Sequence, residues 1–182
     1  PNVRMETHNI PLTVPCGWWR APTSCSVAWV FQSFIHEMAT AAGRDHLEFL
    51  LEQFGEPRWL EEGSARATTQ SGSMNSVNDR LFNTERAINV TKAAAKKGNW
   101  GKKMKSGQGR GLSFYFSHLG YFAEVAEVTV DNSNNVKVDR VVVACDVGML
   151  LNKSGGENQV EGSVVDAIST LAGQEITFEE GA

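Results

Sequence analysis

The sequence predicts an α+β fold, with an antiparallel or mixed sheet that carries helices packed on one face. Residues 121–130 and 136–145 are rich in β-branched and apolar residues, which is typical of strands. The turn-forming run Asp131-Asn132-Ser133-Asn134-Asn135 separates them, so an antiparallel hairpin is expected. Helical patterns, with apolar residues three and four positions apart, stand before and after this hairpin. Runs of helices beside a run of strands favour the α+β class.

Composition excludes several functional classes. The 182 residues are 41% hydrophobic, which suits one domain of ordinary size. The net charge of −4 argues against a general nucleic-acid surface. One group of lysines is expected to be a solvated surface, with a phosphate- or partner-binding patch as the alternative; it comprises Lys92, Lys96, Lys97, Lys102, Lys103 and Lys105. No stretch approaches the ~18 apolar residues that a membrane span needs, so no membrane association is expected.

Cysteine and histidine spacing predicts neither a disulfide framework nor a metal site. The three cysteines are scattered, and Cys145, inside an apolar strand pattern, is expected to be buried. The four histidines lack metal-ligand spacing. An oxidising compartment is therefore neither shown nor excluded.

Two helices are predicted in the first third of the chain. The first begins near Ser24 and ends at Gly43, with an inward apolar stripe and with Gln32, Ser33 and His36 facing away. That stripe consists of Val27, Val30, Phe31, Phe34, Ile35 and Met38. Asp45 is expected to cap the second helix, which ends at Gly55. Residues 58–78 are polar and predict a flexible loop.

A third helix is predicted over residues 84–97, closed by Gly98. Leu112, Phe114 and Phe116 alternate with polar residues and predict a strand, and residues 175–178 predict the start of another.

The stretch 136–171 is the organising segment of the chain. Its strand leads through a loop to Gly155 and Gly156, and a helix is predicted from Glu157. Glycines at a helix N-terminus allow a phosphate or a second backbone to approach the unpaired N–H groups. Gln159 adds an amide to the same place. The alternative is a capped core helix without a ligand.

A ring-rich bend forms the second candidate site. Trp18, Trp19 and Arg20 stand between two prolines, and tryptophan N–H groups and the arginine fork suit ligand contacts. The alternative places both rings in the core and pairs Arg20 with a carboxylate.

Three motifs in one order resemble a known family. They are Trp18-Trp19-Arg20-Ala21-Pro22 with Ser33-Phe34-Ile35-His36-Glu37-Met38-Ala39 and Gly43-Arg44-Asp45-His46-Leu47-Glu48-Phe49; Gly109-Arg110-Gly111 with Glu124-Val125-Ala126-Glu127-Val128; and Asp146-Val147-Gly148 with Asn152 and Glu157-Asn158-Gln159-Val160-Glu161-Gly162-Ser163. The chain resembles the molybdenum-binding subunit of molybdenum hydroxylases, the xanthine dehydrogenase and aldehyde oxidase family. It is most similar to the isoquinoline 1-oxidoreductase β-subunit type, often named aldehyde dehydrogenase.

The resemblance implies a molybdopterin cytosine dinucleotide cofactor, an iron–sulfur partner subunit, and hydroxylation of an aldehyde or an N-heteroaromatic substrate. Arg20 matches the arginine of the family's Phe-Arg-Gly-Phe-Gly segment, here flanked by Trp19 and Ala21. Gln159 matches the glutamine of its Gly-Gln-Val-Glu-Gly segment, which contacts the dinucleotide. The cofactor-binding set implied is therefore Arg20, Trp19, Gly155, Gly156 and Gln159.

The family's catalytic glutamate stands in a Gly-x-Gly-Glu-Pro motif that the chain lacks. Gly55-Glu56-Pro57 matches the last three residues of this motif but is expected to end a helix. No catalytic residue is assigned, and the expectation is a fragment of a cofactor-binding domain, spanning residues 1–182 and inactive alone. Exposed apolar surface near Trp18 and Trp19 or along the last helix, with self-association, is expected as well. The alternative is a non-catalytic interaction or scaffold domain derived from the family.

Overall fold

The computed structural model describes residues 6, 8, 11, 17, 19–22, 24–60, 82–177 and 179. The elements, in chain order, are α1 (Ser24–Ala41), α2 (His46–Phe54), β1 (Trp59–Leu60), β2 (Phe82–Asn83), α3 (Thr84–Lys97), β3 (Gln108–Ser117), β4 (Gly120–Val130), β5 (Val136–Asp146) and α4 (Lys153–Gly173).

The central sheet is antiparallel, in the order β3–β4–β5. The predicted β4–β5 hairpin is confirmed, with Val130 paired to Val136 across a turn held by Asp131. Leu112, Phe114, Ala123 and Val125 face α3 and are almost fully buried. The α+β class, with helices against one face of an antiparallel sheet, is confirmed.

Helix α3 packs close to the sheet because the residue at its C-terminal cap is a glycine, which has no side chain. Gly98 caps the helix, and a Cβ there would lie 2.5 Å from Cγ1 of Val125. Ala87, Ala94 and Ala95 also face the strands and are buried. Small residues along this face therefore set the distance between helix and sheet.

Helix α1 contacts the edge of the sheet through the side predicted to face solvent. The backbone N–H of Phe114 donates to Oε1 of Gln32 at 3.0 Å, which satisfies a donor on edge strand β3. Gln32 and Ser33 are half-buried. Most of the predicted inward stripe is exposed instead, with Val30, Phe31 and Phe34 at 52–57%. The predicted orientation of α1 was wrong because an apolar stripe does not identify the surface that buries it.

Other predictions were wrong locally. Cys145 lies at the end of an edge strand and is exposed, as is Cys25. Trp59 and Leu60, inside the predicted loop, form β1 and pair with β2; residues 61–81 lie outside the described part. Residues 175–177 form no strand, and residue 178 is not described.

The predicted caps at Asp45 and Gly55 are confirmed, and the lysines of the basic group are exposed.

No helix in the described ranges is both long and apolar enough to cross a bilayer.

Candidate functional site

Arg20 and Gln159, the two polar residues singled out by sequence, are in direct contact. Nη2 of Arg20 donates to the backbone carbonyl of Gln159 at 2.9 Å and to its Oε1 at 3.0 Å. A Cβ on Gly162 would lie 3.6 Å from Nη1 of Arg20. The guanidinium therefore lies across one face of α4, where Gly162 leaves room for it. Trp19, beside Arg20, is 50% exposed, and Trp18 is outside the described residues.

The bend after Arg20 uses an unusual backbone conformation. Ala21 has a φ of 54°, in the left-handed region that glycine adopts readily and other residues adopt at a cost of roughly 1–2 kcal/mol. The carbonyls of Ala21 and Pro22 accept from the N–H groups of Cys25 and Ser24, which joins the bend to α1.

Helix α4 begins earlier than predicted, at Lys153, so Gly155 and Gly156 lie inside its first turn. Asn152 caps it: its Oδ1 accepts from the Gly155 N–H at 3.0 Å. Its carbonyl accepts from the Gly156 N–H, also at 3.0 Å. A Cβ on Gly156 would lie 2.9 Å from Cδ1 of Leu150. The glycines thus admit the entering loop, and the backbone N–H groups of Lys153 and Ser154 have no hydrogen-bond partner in the described residues.

A partly buried ion pair that sequence analysis missed fixes the start of that loop. Nε and Nη2 of Arg86 donate to the two carboxylate oxygens of Asp146 at 2.7 and 2.6 Å. Gly148 N–H donates to the same carboxylate at 3.1 Å. The Arg86 hydrogen bonds hold the pKa of Asp146 below its ordinary value. The guanidinium also lies 4.3 Å from the Tyr121 ring. An acid that ends a strand and an arginine in a helix's first turn were the only signals, and neither gives the pairing.

The beginnings of α1 and α4 lie at the same end of the sheet. Strand β3 ends at Ser117, beside the start of β4 at Gly120 and near the end of β5 at Asp146. The hydroxyls of Ser24 and Ser117 are 3.0 Å apart, and Ser117 Oγ is 2.7 Å from Nδ1 of His118. This chain of hydrogen bonds holds the N-terminus of α1 at the hairpin turn, and so helps to present Arg20.

Comparison with known proteins shows the family. Residues 33–182 match the model of the molybdopterin cofactor-binding domain. The chain belongs to this family. Over 98% of its own length it is also 26% identical to one subunit of the nicotinate dehydrogenase of Pseudomonas putida. That match spans 14% of the relative, so the chain covers about one seventh of that protein. No solved structure matches. Together these matches place the chain in the molybdenum hydroxylase family.

The residues of this molybdopterin cofactor-binding domain fit the phosphate-bearing part of such a cofactor. Arg20 retains further guanidinium donors, and Gln159 has its amide. The first turn of α4 adds two backbone N–H groups and the side chain of Lys153, whose Nζ also lies 3.7 Å from Oε1 of Glu157. Such a donor set suits an anionic group and does not suit a bare cation. Among the described residues no three His, Cys, Asp or Glu side chains are grouped to hold a metal ion.

Proposed function

We propose that the Arg20–α4 surface, made of Trp19, Arg20, Gly155, Gly156 and Gln159, binds the dinucleotide part of molybdopterin cytosine dinucleotide. The observation that carries the proposal is the Arg20–Gln159 hydrogen-bond pair, which joins residues 139 positions apart in sequence. Arg20 and the first turn of α4 then bind the pyrophosphate oxygens through charge-assisted hydrogen bonds. The Gln159 amide, held by Arg20, donates to the nucleotide.

The protein to which this domain contributes is proposed to be an oxidoreductase. When bound, the cofactor supplies molybdenum redox chemistry that hydroxylates an electron-poor carbon of an aldehyde or an N-heteroaromatic compound. The relative's name, nicotinate dehydrogenase, favours the N-heteroaromatic class. That relative is named as a subunit, which supports a partner subunit here, and an iron–sulfur protein is proposed for it.

The chain alone is proposed to be inactive, because the one described segment that resembles the family's catalytic motif, Gly55-Glu56-Pro57, has a structural role. Gly55 has a φ of 66° and caps α2. The carbonyl of Glu56 accepts from Oγ1 of Thr84 at 2.7 Å and from Nη1 of Arg58 at 2.9 Å. The Gly55-Glu56-Pro57 segment is therefore a hydrogen-bonded helix stop.

Cytidine diphosphate is a soluble probe for the proposed surface, because it carries the cytosine, ribose and pyrophosphate groups. Titration followed by amide NMR should shift the resonances of Lys153, Ser154 and Gln159. Arg20→Gln should weaken binding by about tenfold or more, the size expected for a lost charge-assisted pair. Arg44→Gln is the matched control, since Arg44 is also exposed but pairs with Glu52 on α2. A folded chain that gives no shifts with the probe would contradict the proposal.

Activity is tested separately. The purified chain is assayed with nicotinate and with a small aldehyde, using an artificial electron acceptor, and its molybdenum content is measured. No turnover is expected. Turnover with stoichiometric molybdenum would show that the chain supplies its own base and would overturn the inactivity proposal.

The exposed stripe on α1 favours a second candidate, a non-catalytic interaction domain. In that case the folded chain binds no cytidine diphosphate, and the Arg20–Gln159 pair serves only to hold the bend against α4.

A further inference from the structure

A cleft separate from the Arg20–α4 surface lies between α1 and the side of the sheet that faces away from α3. Its volume is about 410 Å³, within the range of small-molecule sites. Strands β3 and β4 form its floor and α1 forms one wall. Its lining is mostly apolar and aromatic, with a few polar groups, and comprises Ala28, Trp29, Gln32, Ser33, His36, Gly111, Leu112, Ser113, Tyr115, Phe122, Glu124 and Ala126.

Glu124 is the one carboxylate in this lining. Strand β4 alternates, so Ala123 and Val125 enter the core while Glu124 points to the cleft face, between Ser113 on β3 and Val143 on β5. No described residue forms an ion pair or a hydrogen bond with the Glu124 side chain, and the lining contains no lysine or arginine. Burial raises the pKa of its carboxyl group. A half-buried carboxylate without a partner costs folding free energy, which suggests that its partner is a ligand.

The walls of the cleft indicate the ligand class. Trp29, Tyr115 and Phe122 offer ring surfaces that attract a cation. Gln32 is fixed in place because its Oε1 accepts the N–H of Phe114. A carboxylate among aromatic rings repels anions. A neutral ligand would not compensate the desolvated negative charge of Glu124, whereas a cation would.

We propose that this cleft binds a small organic cation with an apolar or aromatic body. Its charged nitrogen lies against the Glu124 carboxylate, and its body packs among Trp29, Tyr115 and Phe122. The site does not depend on the cofactor-binding proposal, because none of its residues contacts Arg20 or α4 through a described hydrogen bond.

The test uses three probes of similar shape and different charge: benzyltrimethylammonium, benzyl alcohol and benzoate. Calorimetric titration of the purified chain should show saturable binding of the cation, with the other two at least ~10-fold weaker. Glu124→Gln, which preserves shape and removes charge, should weaken cation binding by about tenfold or more. Glu37→Gln, at an exposed position on α1 outside the cleft, should leave it unchanged. Equal binding of all three probes, or an unaltered affinity in Glu124→Gln, overturns the proposal.

Stability distinguishes a ligand-binding carboxylate from a structural one. Without probe, Glu124→Gln should unfold at the same temperature as the unmodified chain or higher, because an unpaired desolvated charge is removed. A lower unfolding temperature would show that Glu124 is held by the protein itself and would overturn the proposal. Trp29→Leu changes a side chain that is 70% exposed, so it should fold normally and still weaken cation binding.

Discussion

Helix α3 comes directly before the three strands of the central sheet in the chain and helix α4 directly after them, but the two helices pack differently. Helix α3 buries Ala87, Val90, Ala94 and Ala95 against the strands. Helix α4 buries no residue, and its Val165 and Leu171 are 64% and 82% exposed. Yet α4 carries the Gln159 segment and contacts Arg20, while α3 serves mainly to build the core. In this molecule the stable interior and the candidate cofactor surface are therefore carried by different helices.

The difference shows what an apolar stripe predicts. Helices α1 and α4 both have apolar residues at helical spacing. On α1 most of these residues are exposed, whereas on α4 Val165 and Leu171 are exposed and the rest are half-buried. An apolar surface along the last helix was expected, and Val165 and Leu171 are exposed there; the exposed stripe on α1 was not expected. Such faces are usual where further protein covers them. Hydrophobic periodicity thus predicts that a helix face is buried but does not identify the surface that buries it.

The same substitution in the two regions should have very different effects. Leu50→Ala removes a side chain that is 2% exposed in the core and should lower the free energy of unfolding by roughly 2–5 kcal/mol. Leu171→Ala, on α4, should change it by less than about 0.5 kcal/mol. Urea unfolding followed by circular dichroism measures both.

Comparable losses in the two variants would contradict the contrast between the core and α4. A change in the slope of the unfolding curve for Leu171→Ala would indicate that α4 unfolds on its own rather than with the core.

The sequence predicted the core better than the site. Strands β3 to β5 and helix α3 follow directly from alternation, helical spacing and turn residues, because local preferences and burial agree there. The Arg20–Gln159 contact joins distant segments; resemblance, not spacing, selected both residues. Nothing local indicates that Arg86 binds Asp146, 60 positions away. Pairings between distant polar side chains depend on tertiary geometry that single-sequence patterns do not contain.

Lowering the pH should reduce the stability of the fold through His46, which lies where α1 and α2 meet. His46 is 5% exposed, stacks on His36 at 4.7 Å between ring centroids, and has no hydrogen-bond partner on either ring nitrogen among the described residues. Burial, with the charge of His36, lowers its pKa, and Asp45 raises it less. The unfolded chain therefore takes up a proton first as pH falls below about 6.5, so stability is lost from there down to the folded-state pKa.

His46→Phe should remove this part of the pH dependence, at most about 1.4 kcal/mol per pH unit for one proton. Unfolding free energies measured between pH 8 and pH 5 test it, with His8→Gln, an exposed position, as the control. A steeper loss in His46→Phe than in the unmodified chain would show that His46 is protonated and stabilising in the fold.

The smallest expected effect on stability is on α1, where the consequence should be in assembly. Phe34 is 57% exposed, so Phe34→Gln should change the free energy of unfolding by less than about 0.5 kcal/mol. If the exposed stripe drives self-association, sedimentation equilibrium should show weaker association for Phe34→Gln and no change for Glu37→Gln on the same helix. An unmodified chain that stays monomeric at high concentration would contradict self-association. The contrast with Leu50 would then still hold, since burial within the chain, and not apolar character, decides which leucine or phenylalanine the fold needs.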